Sequence, residues 1–122
     1  HCHEYTEIFY FLAGEFEVST ADEQLTVSTL QLKPGDTLSV PSMSWHNFKN
    51  VGSIPGKFLV IHSPPVMEEV LGQLGLPIED PQNPPTPPGP PSPEAMEQLL
   101  QTLSKYMEFL PPEKVSSKEL VS

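Results

Sequence analysis

Between residues 4 and 63, apolar and β-branched side chains fall in short runs separated by turn residues. Ile8-Phe9-Tyr10-Phe11-Leu12 is interrupted by Ala13-Gly14, and Glu15-Phe16-Glu17-Val18 then resumes with alternating polarity, which predicts a strand, a tight turn and an antiparallel return. A third extended stretch runs from Leu25 to Leu32 and stops at the turn signal Lys33-Pro34-Gly35-Asp36. Residues 37–40, 45–51 and 57–62 read as three more strands, set apart by Pro41-Ser42 and by residues 52–56. Six short strands with no helix among them indicate an all-β domain, an antiparallel barrel or sandwich.

The pattern changes at Pro64-Pro65. Val66, Met67, Val70, Leu71 and Leu74 recur at helical spacing, predicting a short amphipathic helix within 64–76. Nine prolines between residues 77 and 93, with almost nothing apolar, define an extended linker that has no core of its own. Ser92-Pro93-Glu94 supplies a helix cap, with proline in the first turn. An apolar stripe of Met96, Leu99, Leu100, Leu103, Tyr106 and Met107 then predicts a C-terminal helix over 94–110, packed along that stripe. The expected organisation is a barrel at 1–63, these short C-terminal helices, and a flexible tail at 111–122. No internal repeat is present.

Charge narrows the partners. Sixteen acidic residues against six Lys and Arg give a net charge of -10, and arginine is absent. Nucleic acid and anionic membranes both need a basic surface, so neither is expected as a partner. The missing arginine also removes the bidentate clamp for phosphate or carboxylate, leaving a neutral or weakly polar small molecule as the expected ligand. One cysteine, Cys2, excludes an internal disulfide. The absence of a long apolar run or a signal-like N-terminus makes a cytoplasmic location the expectation. A chain that opens on His1 without an initiator methionine is expected to be processed or to continue upstream.

Two clusters carry chemistry. In His1-x-His3-x3-Glu7-x6-Gly14 the three polar positions share parity, so on one extended strand they face the same way, with Phe9 and Phe11 continuing the face as an apolar floor. Cys2 faces away. In Gly35-x5-Pro41-x-Met43-x2-His46-x3-Asn50 a turn swings His46 back, so that a neighbouring strand presents a further imidazole.

Together these blocks resemble the cupin family, whose pattern has His-x-His, a Glu a few residues later and a Gly beyond, followed by Gly-x5-Pro-x-Gly-x2-His-x3-Asn. The resemblance covers residues 1–63 and implies a jelly-roll-like antiparallel β-barrel with His1, His3, Glu7 and His46 as ligands of one divalent transition metal. Nitrogen and oxygen donors suit Fe, Mn, Ni, Co, Cu or Zn without choosing among them. Met43 stands where the family usually has glycine. The family's opening strands have no counterpart here, so the barrel is expected to be incomplete at its N-terminus, with an unpaired edge at residues 1–12 that invites a second copy; a homodimer is also what the resemblance implies.

Residues 64–112 look, more loosely, like the C-terminal extension of small bacterial cupins of the quercetin-dioxygenase-like kind. That implies a mononuclear metal-dependent dioxygenase acting on a small aromatic or enolic substrate, with Glu7 as ligand and proton acceptor. The alternatives are a non-catalytic ligand-binding module and a metal-dependent sugar isomerase or epimerase. Tyr5, Phe9, Phe11, Met43 and Phe48 are the candidate substrate-pocket residues, although inward aromatics on strands are more often core. His62 reads as a structural histidine at a strand end, with an orienting contact to the metal site as the alternative.

Overall fold

The computed structural model describes residues 1–111, Lys114 and the backbone of Ser116 and Ser117. Of the tail expected over 111–122, Pro111, Lys114 and the backbone of Ser116 and Ser117 are described, the last two as a short strand, and the rest lies outside the described residues. Six strands follow in chain order: β1 (Thr6–Ala13), β2 (Phe16–Ala21), β3 (Thr26–Leu32), β4 (Thr37–Val40), β5 (Trp45–Asn50) and β6 (Lys57–Ser63). After them come α1 (Met67–Leu74), α2 (Pro93–Leu103) and the two-residue β7 (Ser116–Ser117). The strands form two sheets, ordered β4-β1-β6 and β5-β2-β3-β7. All pairings are antiparallel except β3 with β7. The all-β expectation therefore takes the form of a two-sheet sandwich.

Period-two alternation builds the interior. On β1, Glu7, Phe9 and Phe11 are buried while Ile8, Tyr10 and Leu12 face out. Phe16 and Val18 of β2 oppose them from the other sheet, with Val40 completing the buried cluster. The Phe58 ring from β6 lies 5.2 to 6.0 Å from Phe9, Phe11, Phe16 and Phe48, tilted or edge-on to each. Such aromatic packing contributes beyond simple area burial. Truncating Phe11, which is 1% exposed, removes roughly 3–5 kcal/mol.

Two local expectations are overturned. The hairpin predicted across Ala13-Gly14 does not form, because β1 is already paired on one side with β4 and on the other with β6. The chain instead turns a corner at Gly14 and enters the second sheet. Gly14 has φ +85°, and a Cβ there would sit 2.7 Å from the Gly56 backbone, so only glycine fits this close approach. For the same reason β1 is the central strand of its sheet and not the open edge expected of residues 1–12.

At the other end of the chain, Ser92 caps α2 by accepting from the Ala95 amide at 3.2 Å. The helix ends at Leu103, short of the expected 110. The Ser104 hydroxyl donates to the Leu100 carbonyl at 2.7 Å, and the backbone turns. Tyr106 then donates to Glu69 of α1 at 2.9 Å, and Glu108 exchanges two backbone hydrogen bonds with Cys2, at 2.8 and 3.0 Å. These partners draw 104–108 out of the helix; no residue of α2 is fully buried, and of the apolar stripe Leu99, Leu103, Tyr106 and Met107 are half-buried while Met96 and Leu100 are exposed.

Candidate metal centre

His46 is delivered by the turn at residues 41–44. The Ser44 amide donates to the Pro41 carbonyl at 3.2 Å, and Met43 takes φ +62°. That left-handed conformation is where glycine has the advantage, which accounts physically for the residue type that Met43 replaces. His1 and His3 reach His46 by a route different from the one their parity suggested. The chain bends at Glu4-Tyr5, so residues 1–3 are not part of β1. They run beside β5 instead: the His46 amide donates to the His1 carbonyl at 2.9 Å, and the Met43 amide to the His3 carbonyl at 2.7 Å. Glu7 comes from the opposite sheet. Glu7 thus meets His3 and His46 across the gap between sheets, and His1 joins them as the third imidazole.

Ring orientation is defined by the backbone. His3 Nδ1 lies 2.8 Å from the Tyr5 carbonyl, and His46 Nδ1 2.8 Å from the Ser44 carbonyl. A carbonyl only accepts, so both rings donate from Nδ1 and turn Nε2 inward. Those two nitrogens lie 3.2 and 2.9 Å from the same oxygen, Glu7 Oε2. His3 Nε2 is buried and has no hydrogen-bond partner. Three electron-rich atoms aimed at one buried point require a cation among them, either a proton on one ring or a metal ion. His1 completes the set: ring nitrogens of His1, His3 and His46 all lie within 4.8 Å of one another. The donor chemistry and the orphaned nitrogen fit a divalent transition metal.

The surroundings hold these groups in their working states. Burial lowers the His3 pKa below the ordinary imidazole value, against the opposing pull of Glu7. Burial alone would raise the Glu7 carboxyl, but its contacts with His46, His62 and His3 prevail and hold it below the usual carboxylate range. Tyr5 stacks on His3 with centroids 3.6 Å apart and planes 2° from parallel, and its hydroxyl donates to Met67 Sδ at 3.3 Å. Burial, with Glu7 nearby, pushes the Tyr5 phenol up to about 12, so it remains neutral. Cys2 is buried and outside the imidazole group. Burial and then Glu108 raise its thiol pKa.

His62, which the sequence favoured as a structural histidine with an orienting contact as the alternative, does touch Glu7. Its Nε2 lies 2.8 Å from Glu7 Oε1, the carboxylate oxygen turned away from the other imidazoles. The cause is register, since Glu7 on β1 stands directly opposite His62 on β6. The candidate pocket residues divide. Tyr5 and Met43 border a cleft of about 350 Å³ whose far wall is residues 104–108. Phe9, Phe11 and Phe48 instead line an interior gap of about 10 Å³, too small for a ligand; Phe9 and Phe11 are buried core, whereas Phe48 is 47% exposed.

A family model described as Cupin_2, cupin domain, matches residues 1–62. The chain is also similar to the uncharacterized protein MJ1618 of Methanocaldococcus jannaschii, 33% identical over 63 residues, which is 52% of this chain and 46% of that protein. It therefore spans about half the length of that relative. Among solved structures, YcfD, a ribosomal oxygenase from Escherichia coli, aligns over 86% of this chain and 33% of its own, with a TM-score of 0.45 and 18% identity.

Proposed function

The chain belongs to the cupin family, and from that premise we propose that it is a mononuclear metal-dependent dioxygenase acting on a small aromatic or enolic substrate. The observation that carries the metal site is the paired Nδ1 donation of His3 and His46 to backbone carbonyls, which leaves both Nε2 atoms facing Glu7 Oε2. His1, His3, Glu7 and His46 are the residues that would hold the ion. A bound divalent transition metal supplies Lewis acidity and, where it is redox-active, a path for electrons to dioxygen. The chain's own residues do the rest. His62 orients Glu7 through Oε1, and the ionised Glu7 is placed to accept a proton from a substrate hydroxyl. Tyr5, stacked and neutral, keeps the His3 ring in plane and excludes water from its face.

The test has two parts. Elemental analysis of protein purified without chelators is expected to find close to one transition metal per chain, and His46→Ala to remove most of it. Oxygen uptake with enediol or diketone substrates is expected for the metal-loaded protein and not for His46→Ala. Metal-free protein as purified, combined with unchanged activity in the variant, would sink the proposal. Metal without oxygen uptake would point to the non-catalytic alternative.

A further inference from the structure

From residue 83 to residue 92, every position is a proline or stands directly before one. Proline fixes its own φ at about -65° and drives the residue ahead of it into extended backbone, so this stretch is confined to polyproline II. The structure agrees. Ser92, at the end of the run, has φ -63° and ψ 161°, and every peptide bond of the run is trans. Residues 84–89 pass without a turn, between bends at Asn83 and Pro90. Polyproline II has three residues per turn, so Pro84 and Pro87 share one edge, Pro85 and Pro88 a second, and Thr86 and Gly89 a third. Two proline ridges thus lie beside a small polar one, on a rod of about 19 Å at roughly 3.1 Å per residue.

A stiff proline-rich stretch is ordinarily a spacer that holds two parts at a distance. This one spans no gap. The Tyr106 hydroxyl, which follows it in the chain, donates to Glu69 of α1 at 2.9 Å and accepts from Gln73 of the same helix. The chain therefore leaves and re-enters at one place, and every residue from 75 to 98 is exposed on the way. We propose that residues 84–89 are a docking rod for another protein, one whose groove is lined by aromatic rings and rimmed by lysine or arginine. Proline ridges fit the slots between aromatic rings, and a rod already in its bound conformation loses little freedom on docking. Proline has no amide N–H, so the rod offers carbonyl acceptors, which suit the indole N–H and phenol O–H of such a groove. The rim follows from charge. Glu79 and Asp80 precede the rod, Glu94 and Glu97 follow it, and no lysine or arginine occurs between Lys57 and Lys105.

The full chain is titrated into ¹⁵N-labelled SH3, WW and EVH1 domains, chosen to include both basic-rimmed and acidic-rimmed grooves. Resonance shifts confined to groove residues are expected, with the basic-rimmed domains binding more tightly. Pro87→Ala combined with Pro88→Ala is expected to weaken binding about tenfold or more. The urea midpoint should not move, because both side chains are exposed. Groove shifts in none of the domains, full binding by the double variant, or tighter binding to acidic rims would overturn the proposal. Sedimentation equilibrium of the chain alone tests the other occupant, a second copy. The double variant is expected to keep the parent's association state; its dissociation would place another copy of this chain on the rod and overturn the foreign partner.

Discussion

Glu7 is the residue on which both sheets depend, since its two carboxylate oxygens are divided between His46 with His3 on one side and His62 on the other. Groups that orient a metal ligand commonly alter affinity as much as weaker ligands do. His62→Ala is therefore expected to lower metal affinity about 10- to 100-fold with the strands intact, measured by calorimetric titration beside circular dichroism. Unchanged affinity would make His62 a bystander. His1, His3 and His46 were legible because their spacing is local. His62 was not, because its role comes from a β1–β6 register that no spacing along the chain encodes. Glu7 was grouped with His1 and His3 by shared parity, yet the bend at Glu4-Tyr5 breaks that strand, and Glu7 meets His3 and His46 from the facing sheet instead, at 3.2 and 2.9 Å. Met43 makes a second test at this scale. A non-glycine residue in the left-handed region is strained by roughly 1–2 kcal/mol, and glycine gives back part of that in chain entropy. Met43→Gly is expected to raise stability by up to about 1 kcal/mol in urea unfolding, because the side chain is 46% exposed and little packing is lost.

Among the elements, all six strands were readable from runs of β-branched and aromatic residues bounded by Gly and Pro. Their partners were not. A hairpin across Gly14 is the local inference, whereas the pairing of β1 with β4 and β6 is decided by residues far along the chain. The C-terminal helix was overextended for a similar reason: Tyr106 and Met107 continue the helical spacing, but Glu108 finds backbone partners on Cys2 and Tyr106 finds Glu69. This returning segment lies against the chain that carries His1 and His3, with Phe109 packed 6.2 Å from the His1 ring. Glu108→Pro deletes one of the two bridging amides. The variant is expected to bind metal several-fold more weakly and to expose the Cys2 thiol, which is 1% accessible and held protonated by burial, to Ellman's reagent. Equal thiol reactivity in variant and parent would show that the segment does not secure the ligand-bearing chain.

For the whole molecule, the outward face of β1 and β6 is the notable surface. Ile8 pairs with Ile61 and Tyr10 with Leu59, and with Leu12 these side chains are 39% to 55% exposed. A chain of net charge -10 keeps this face apolar, with only Lys57 charged among the outward positions of the two strands. The homodimer anticipated from residues 1–12 as an open edge lacks that edge, and we propose this face instead as the place where two copies would meet. Sedimentation equilibrium is expected to show a dimer that Ile61→Glu converts to monomer with unchanged circular dichroism; a monomeric parent chain would remove the expectation. No described helix is long and apolar enough to cross a membrane. The split origin of the four residues proposed as metal ligands has one more outcome. Three imidazoles belong to one leaf of the sandwich and the carboxylate to the other, so an ion gripped by all four is a rivet through both. Free metal at about 100 times its dissociation constant would stabilise the fold by roughly 2.7 kcal/mol, worth several degrees of melting temperature or more. Heating the protein with each divalent ion in turn would then rank its metal preference with no substrate in the tube, because the rivet that fits best melts last.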